Sequence, residues 1–180
     1  MAGFRELIPN VVKRRIPETR PLLKISHPDR DPIDVTFALL DNAVNRAAWF
    51  ITENLGPDEE TFIWMSQSDA RYIIWAIAAM KTGKVVVFPS LSNRVSANLR
   101  LFETVGAKHM FYGPESSGTL AELVGKASPT VAARPGILLQ DILSPEPVPD
   151  YPFDKTFEEI KDKRFMGLHT SGTSAIPCDS

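Results

Sequence analysis

Thr61-Phe62-Ile63-Trp64-Met65, then Ser66-Gln67-Ser68-Asp69, then the helical stretch Arg71 to Thr82 and the run Lys84-Val85-Val86-Val87-Phe88 decide the fold class. The first run is short and apolar, with acidic residues before it and small polar ones after, which is the pattern of a buried strand. Ser68 or Asp69 is placed to cap the helix that follows, and Gly83 to terminate it. The β-branched content of Val85 to Val87 predicts a second strand. The cycle then repeats. Ser92 or Asn93 caps a helix through Val95, Leu99, Leu101, Phe102 and Val105, Gly106 stops it, and Lys108-His109-Met110-Phe111-Tyr112 forms a third strand. This alternation predicts an α/β fold, a mostly parallel sheet flanked by helices. The C-terminal strand ends of such a sheet share one rim where ligands bind, so the rim loops begin at Ser66, Pro89 and Gly113.

Working outward, Phe37, Leu40, Ala43, Val44, Ala47, Phe50, Ile51 and Leu55 recur at helical spacing before Gly56-Pro57, which predicts an amphipathic helix over Val35 to Leu55. Downstream, Gly113 to Asp154 shifts toward Pro, Gly, Ser and Ala, with a helix near Leu120 to Lys126 and an apolar patch at Ile137-Leu138-Leu139, and reads as a long surface connection with a short strand or helix inside it. Thr156 to Lys163 predicts a short charged helix, and Phe165 to His169 a last strand. That strand delivers Thr170-Ser171-Gly172-Thr173-Ser174. Small residues let backbone N–H groups approach an anion, and hydroxyls add donors. The run lacks the Gly-Lys-Ser/Thr ending of a Walker loop, so residue types alone leave two readings open, a phosphate-gripping loop and a solvated turn, the second being the commoner use of such a run.

At 180 residues, 43% hydrophobic and 23% charged, the chain is long enough for one core, and a formal charge of −2 gives no general attraction to nucleic acid or anionic membrane. Lys13-Arg14-Arg15 reads as part of a solvated N-terminal arm, residues 1–31. The single Cys178 excludes an internal disulfide framework and a Cys cluster for zinc, and it fits a reducing, cytoplasmic compartment. Arg5, Glu6, Asn10 and Lys13 interrupt the start where a secretory signal needs an apolar run. Tyr72 to Pro89 is the most apolar window, but Lys81, Gly83 and Lys84 divide it into helix and strand.

Few residues offer independent chemistry. His27, His109 and His169 lack metal-ligand spacing, with His27 placed in a loop and His109 in a strand. Asp58-Glu59-Glu60 reads as a charged turn, and Ser171 lacks nucleophile-elbow spacing. Trp49, Trp64 and Trp75 fall in periodic apolar settings and read as core. No catalytic residue and no metal ligand is assigned.

Taken in order, Asn42-Ala43-Val44-Asn45-Arg46-Ala47-Ala48-Trp49, Ser68-Asp69-Ala70-Arg71-Tyr72, Ala78-Ala79-Met80-Lys81-Thr82-Gly83, Pro89-Ser90-Leu91-Ser92-Asn93 and His169-Thr170-Ser171-Gly172-Thr173-Ser174 resemble the N-terminal part of an adenylate-forming (AMP-binding) domain, as in fungal nonribosomal-peptide-synthetase-like enzymes and adenylate-forming reductases. The resemblance runs from about Pro32 to Pro177 and spans roughly the first third of such a domain, which makes residues 32–180 a partial adenylation domain. It implies ATP and Mg as cofactors, a carboxylic acid as substrate and a carrier-protein thiol as acceptor. It also implies that Thr170, Ser171, Gly172, Thr173 and Ser174 contact phosphate. Ala175 stands where the family has Gly, and Cys178 where it has Lys, which removes a cation near the phosphates. The adenine pocket, the ribose-binding acid and the catalytic lysine belong to later parts of the family domain, so these residues alone are expected not to catalyse adenylation. The alternatives are a noncatalytic interaction or dimerisation module, self-associating through an exposed sheet edge, and an unrelated small nucleotide binder.

Overall fold

A computed structural model of the chain describes residues 5–27, 30–58, 60–127 and 131–168. Helix α1 (Ile8–Arg14) leads to an antiparallel hairpin of β1 (Leu23–His27) and β2 (Arg30–Val35), and then to the long helix α2 (Phe37–Asn54). The alternating units follow as β3 (Thr61–Met65), α3 (Arg71–Thr82), β4 (Val85–Phe88), α4 (Val95–Val105) and β5 (His109–Tyr112). A 3₁₀ turn, Pro114–Ser116, leads into α5 (Ser117–Ala127) and β6 (Ala132–Pro135). After two short helices, α6 (Leu139–Ile142) and α7 (Phe157–Ile160), the chain returns as β7 (Met166–Leu168).

The main sheet has the order β6-β5-β3-β4-β7, with every pair parallel. Chain growth begins at the central strand, steps out to β4, crosses back to β5 and β6, and finally places β7 beside β4. The three strands expected from the alternating pattern are present, as are the long helix before them, the helix after Gly113 and the final strand.

Both faces of the sheet are covered, and the period of two along each strand divides the core. Phe62, Trp64, Val86, Phe88 and Phe111 face α2 and α3, while Ile63, Met65 and Met110 face Phe102 of α4 and Leu120 and Leu123 of α5. Ala43, Ala47, Ala48, Ala78 and Ala79 are fully buried on the first side, so small residues lie where α2 and α3 meet. Trp75 stacks on Trp64 with centroids 4.8 Å apart and meets Phe50 edge-on at 5.6 Å. Truncating a side chain in such a cluster costs about 3–5 kcal/mol.

Local signals account for the helix ends. The Thr36 hydroxyl accepts the Leu39 amide at 3.2 Å, and Gly83 and Gly106 close α3 and α4 at φ of 70° and 65°, where a Cβ would be strained. Thr156 and Glu159 form the reciprocal capping box of α7.

Several expectations need revision. His27 ends β1 instead of lying in a loop. Lys13 and Arg14 close α1, whose Val12 enters the larger core, and Lys13, Arg14 and Arg15 pair with Asp150, Glu6 and Glu18. β6 supplies the short strand that the long connection was open to hold, at a position the sequence pattern does not mark. Its Ala132-Ala133-Arg134-Pro135 has little β-branched content, and proline is tolerated because β6 is an edge strand. Among the described residues no helix is long and apolar enough to cross a membrane.

Candidate functional site

Parallel strands bring the loops after Met65, Phe88, Tyr112, Pro135 and Leu168 to one rim. β7 pairs with β4 through Val86 opposite Met166 and Phe88 opposite Leu168, and the Val86 amide donates to the Phe165 carbonyl at 3.0 Å. β7 therefore ends at Leu168 beside Phe88, the residue before the loop that starts at Pro89. Thr170, Ser171, Gly172, Thr173 and Ser174 lie outside the described residues, together with His169, Ala175 and Cys178.

The rim is organised by a residue that sequence reasoning quoted but gave no role. Arg71 opens α3, yet its side chain is only 1% exposed. Its guanidinium donates to Asp69 at 2.6 Å, to the Ser66 hydroxyl at 3.2 Å and to the Ile137 carbonyl at 3.3 Å, and it also pairs with Glu115. One cation thus joins the loops following β3, β5 and β6. Below it lies the Trp64 ring, 5.2 Å from the guanidinium carbon.

Burial alone would lower the affinity of Arg71 for its proton, but hydrogen bonds and charge from Asp69 and Glu115 outweigh it and hold the guanidinium firmly protonated. Desolvation likewise pushes the Glu115 carboxyl up, and the Arg71 hydrogen bond, a backbone amide and the Arg71 charge together bring it below the ordinary glutamate value. The Asp69 carboxylate also accepts the Arg71 amide at 2.8 Å, a capping contact of the kind expected of Asp69, although the N-cap position itself falls on Ala70. Close approach of the loops needs Gly113, where a Cβ would stand 2.6 Å from a Glu115 carboxylate oxygen and 3.0 Å from the Ser66 Cβ.

Tyr72 stacks on Phe88 with centroids 4.6 Å apart and donates to the Ser66 carbonyl at 3.3 Å, which ties the β3 loop to the end of β4. The loop after β4 is fixed from below by Asn98, 2% exposed, whose amide donates to the Ser90 carbonyl at 3.4 Å and accepts from the Asn93 side chain at 3.0 Å. Ser92 and Asn93 do not cap α4 as expected; Arg94 holds that position, without a side-chain capping bond. The Ser90 and Ser92 hydroxyls are 2.6 Å apart in the loop after β4.

No group of three or more His, Cys, Asp or Glu placed to hold a metal exists among the described residues. A cleft of about 500 Å³ lies between α2 and the segment after β6, at Arg46, Trp49, Phe50 and Ile137. Trp64 and Trp75 are fully buried as expected, whereas Trp49 is half-buried and donates to the Pro149 carbonyl at 2.9 Å.

No protein-family model matches the sequence. Among curated proteins, a carboxylic acid reductase of Neurospora crassa is 28% identical over 183 residues, covering 96% of this chain and 17% of the relative. Among solved structures, the N-terminal domain of FACL13 from Mycobacterium tuberculosis superposes with a TM-score of 0.72 at 20% identity, over 96% of this chain and 43% of that one. The adenylation domain of a keto acid-selecting NRPS module, bound to keto acyl adenylate, gives a TM-score of 0.64 at 9% identity, over 83% and 28%. The chain has the fold of the N-terminal part of an adenylate-forming domain. It spans less than a fifth of the curated relative and less than half of each structural neighbour. Within this adenylate-forming fold, Arg71, Tyr72 and Asn98 are structural members of the rim.

Proposed function

We propose that the chain supplies the phosphate-gripping front of an ATP-dependent acid-activating enzyme of the NRPS-like and adenylate-forming-reductase type. In that reaction a substrate carboxylate attacks the α-phosphate of ATP, the bond to pyrophosphate breaks, and the acyl group of the acyl-adenylate is then transferred to a carrier-protein thiol, with AMP as the leaving group. Thr170, Ser171, Gly172, Thr173 and Ser174 would hold the ATP phosphates by backbone N–H and hydroxyl donors. Mg²⁺ would offset phosphate charge. We assign the setting to cytoplasmic secondary metabolism.

The observation that carries this reading is the position of β7. It ends the sheet beside β4, so the Thr/Ser/Gly run follows directly from the ligand-binding rim of an adenylate-forming fold. The buried cation of the described rim, Arg71, is already matched by Asp69 and Glu115. Loop donors without a lysine or metal stabilise developing phosphate charge poorly, so residues 1–180 by themselves should bind ATP weakly and release no pyrophosphate.

Titrating ATP·Mg into the chain while following backbone amide resonances tests this. Shifts confined to the region from Leu168 to Ala175, with a dissociation constant of about 1 mM or weaker and lost in the Ser171→Ala/Thr173→Ala variant, are the expected result. Shifts elsewhere, or none, would overturn it. Tight binding by this segment alone would favour an independent nucleotide binder.

A second reading, a self-associating module, is favoured by one observation: Leu168 is 67% exposed and Met166 39% exposed on a strand whose described partner is β4 alone.

A further inference from the structure

Residues 142–151, between α6 and α7, contain no strand and little helix of their own, yet their backbone is held in place. Its partners are side chains along one stripe of α2. Asn42 donates to the carbonyls of Ser144 at 3.1 Å and Glu146 at 2.7 Å, and its side-chain oxygen accepts the Val148 amide at 2.9 Å. Arg46 donates to Ile142 at 2.9 Å and Glu146 at 2.6 Å. The Asn45 oxygen accepts the Tyr151 amide at 3.2 Å and the Lys81 ammonium at 2.5 Å, while its nitrogen donates to Asp41 and Asp150. Thus α2 acts toward this segment as a neighbouring strand would, through side chains in place of a ladder. Ile142 and Leu143 anchor one end in the core.

β7, three residues long and paired with β4, lies immediately downstream. With the segment fastened at Tyr151, the tether that must close to bring β7 to β4 runs from Tyr151 to Met166. Once the segment is released the tether starts at Leu143, buried at the end of α6, and is about half again as long, which lowers the closing probability roughly twofold.

We propose that Asn42, Asn45 and Arg46 form a latch for the 142–151 strap, and that strap and β7 open together as one local unit while the β3–β5 core stays closed. The latch residues are positioning residues: they set how firmly the hydroxyl-rich loop is presented at the rim. The functional meaning rests on the phosphate-loop reading, but the opening itself does not.

Hydrogen exchange of the whole chain and its Asn42→Ala variant, without nucleotide, is the test. Exchange of the Val148 and Tyr151 amides should rise roughly tenfold or more, peptides covering 164–168 should follow by roughly twofold, and 61–65 and 109–112 should be unchanged. A strap that opens while 164–168 does not respond overturns the coupling. A uniform rise including 61–65, or no change at Val148, overturns the latch. Should Asn42→Ala fail to fold, Trp49→Phe, which removes one donor to the Pro149 carbonyl, is judged by the same pattern at smaller amplitude. Co-opening without any ATP binding would count against the nucleotide reading and leave the latch standing.

Discussion

Arg71 shows how much of the rim depends on a single side chain. It is buried against Asp69, Glu115 and Ser66 and is the only described group joining the loops after β3, β5 and β6. Removing it leaves carboxylates without their cation, so Arg71→Ala should cost about 2–4 kcal/mol, discounted for the partly exposed Glu115. Denaturant unfolding checks this, with the exposed Arg100→Ala as control; equal effects would refute it. Glu115 also sets a sign for acid stability. Its folded pKa is lowered, so its contribution is complete above the unfolded glutamate value and disappears as pH falls through the lowered folded one. Glu115→Gln should therefore be less stable than the parent at about pH 6, with a gap that closes toward about pH 3. A gap that widens on acidification would contradict the pairing. Gly136 is the third case, because a Cβ there would come within 2.4 Å of the Trp64 ring, which is buried and stacked. Gly136→Ala should destabilise by about 1–3 kcal/mol, seen as a lower denaturation midpoint with unchanged slope.

Elements inherit their limits from such residues. Gly83 ends α3 in the left-handed region with nothing within 4 Å of an added Cβ, so a substitution there feels backbone strain without crowding. Gly83→Ala should cost about 1 kcal/mol by thermal or chemical unfolding, while Gly118→Ala, helical and equally uncrowded, should be neutral or stabilising. Helix ends and buried strands were legible because their signals are local: a glycine after a periodic run, or an apolar run between polar turns. The hairpin β1–β2 and strand β6 were not. The alternation in β1 is short, with Leu23 and Ile25 only partly buried, and β6 is an edge strand whose residues gain their conformation from pairing with His109 to Tyr112. The capping role expected of Ser92 or Asn93 failed because the Asn93 side chain donates to Asn98 inside α4 and the helix starts after Arg94.

Across the whole molecule, β6 and β7 form the two edges of the sheet. The β6 edge includes Pro135, which blunts pairing, whereas the β7 edge carries Met166 and Leu168. Any self-association should therefore run through β7. Sedimentation analysis should show concentration-dependent association that Leu168→Lys reduces; association unaffected by that change would place the contact elsewhere. The sequence by itself determined the α/β class, the parallel strand-helix cycle and the resemblance to an adenylate-forming domain, because periodicity, caps and motif order are carried by neighbouring residues. Only the tertiary structure decided that Arg71 is a buried rim clip instead of a surface charge. It alone showed that Asn42, Asn45 and Arg46 fasten a strap about a hundred positions away, and that β7 closes the sheet beside β4. Those roles arise from contacts between residues distant in the chain, and one-dimensional spacing carries no record of which distant loop a buried cation or amide will meet.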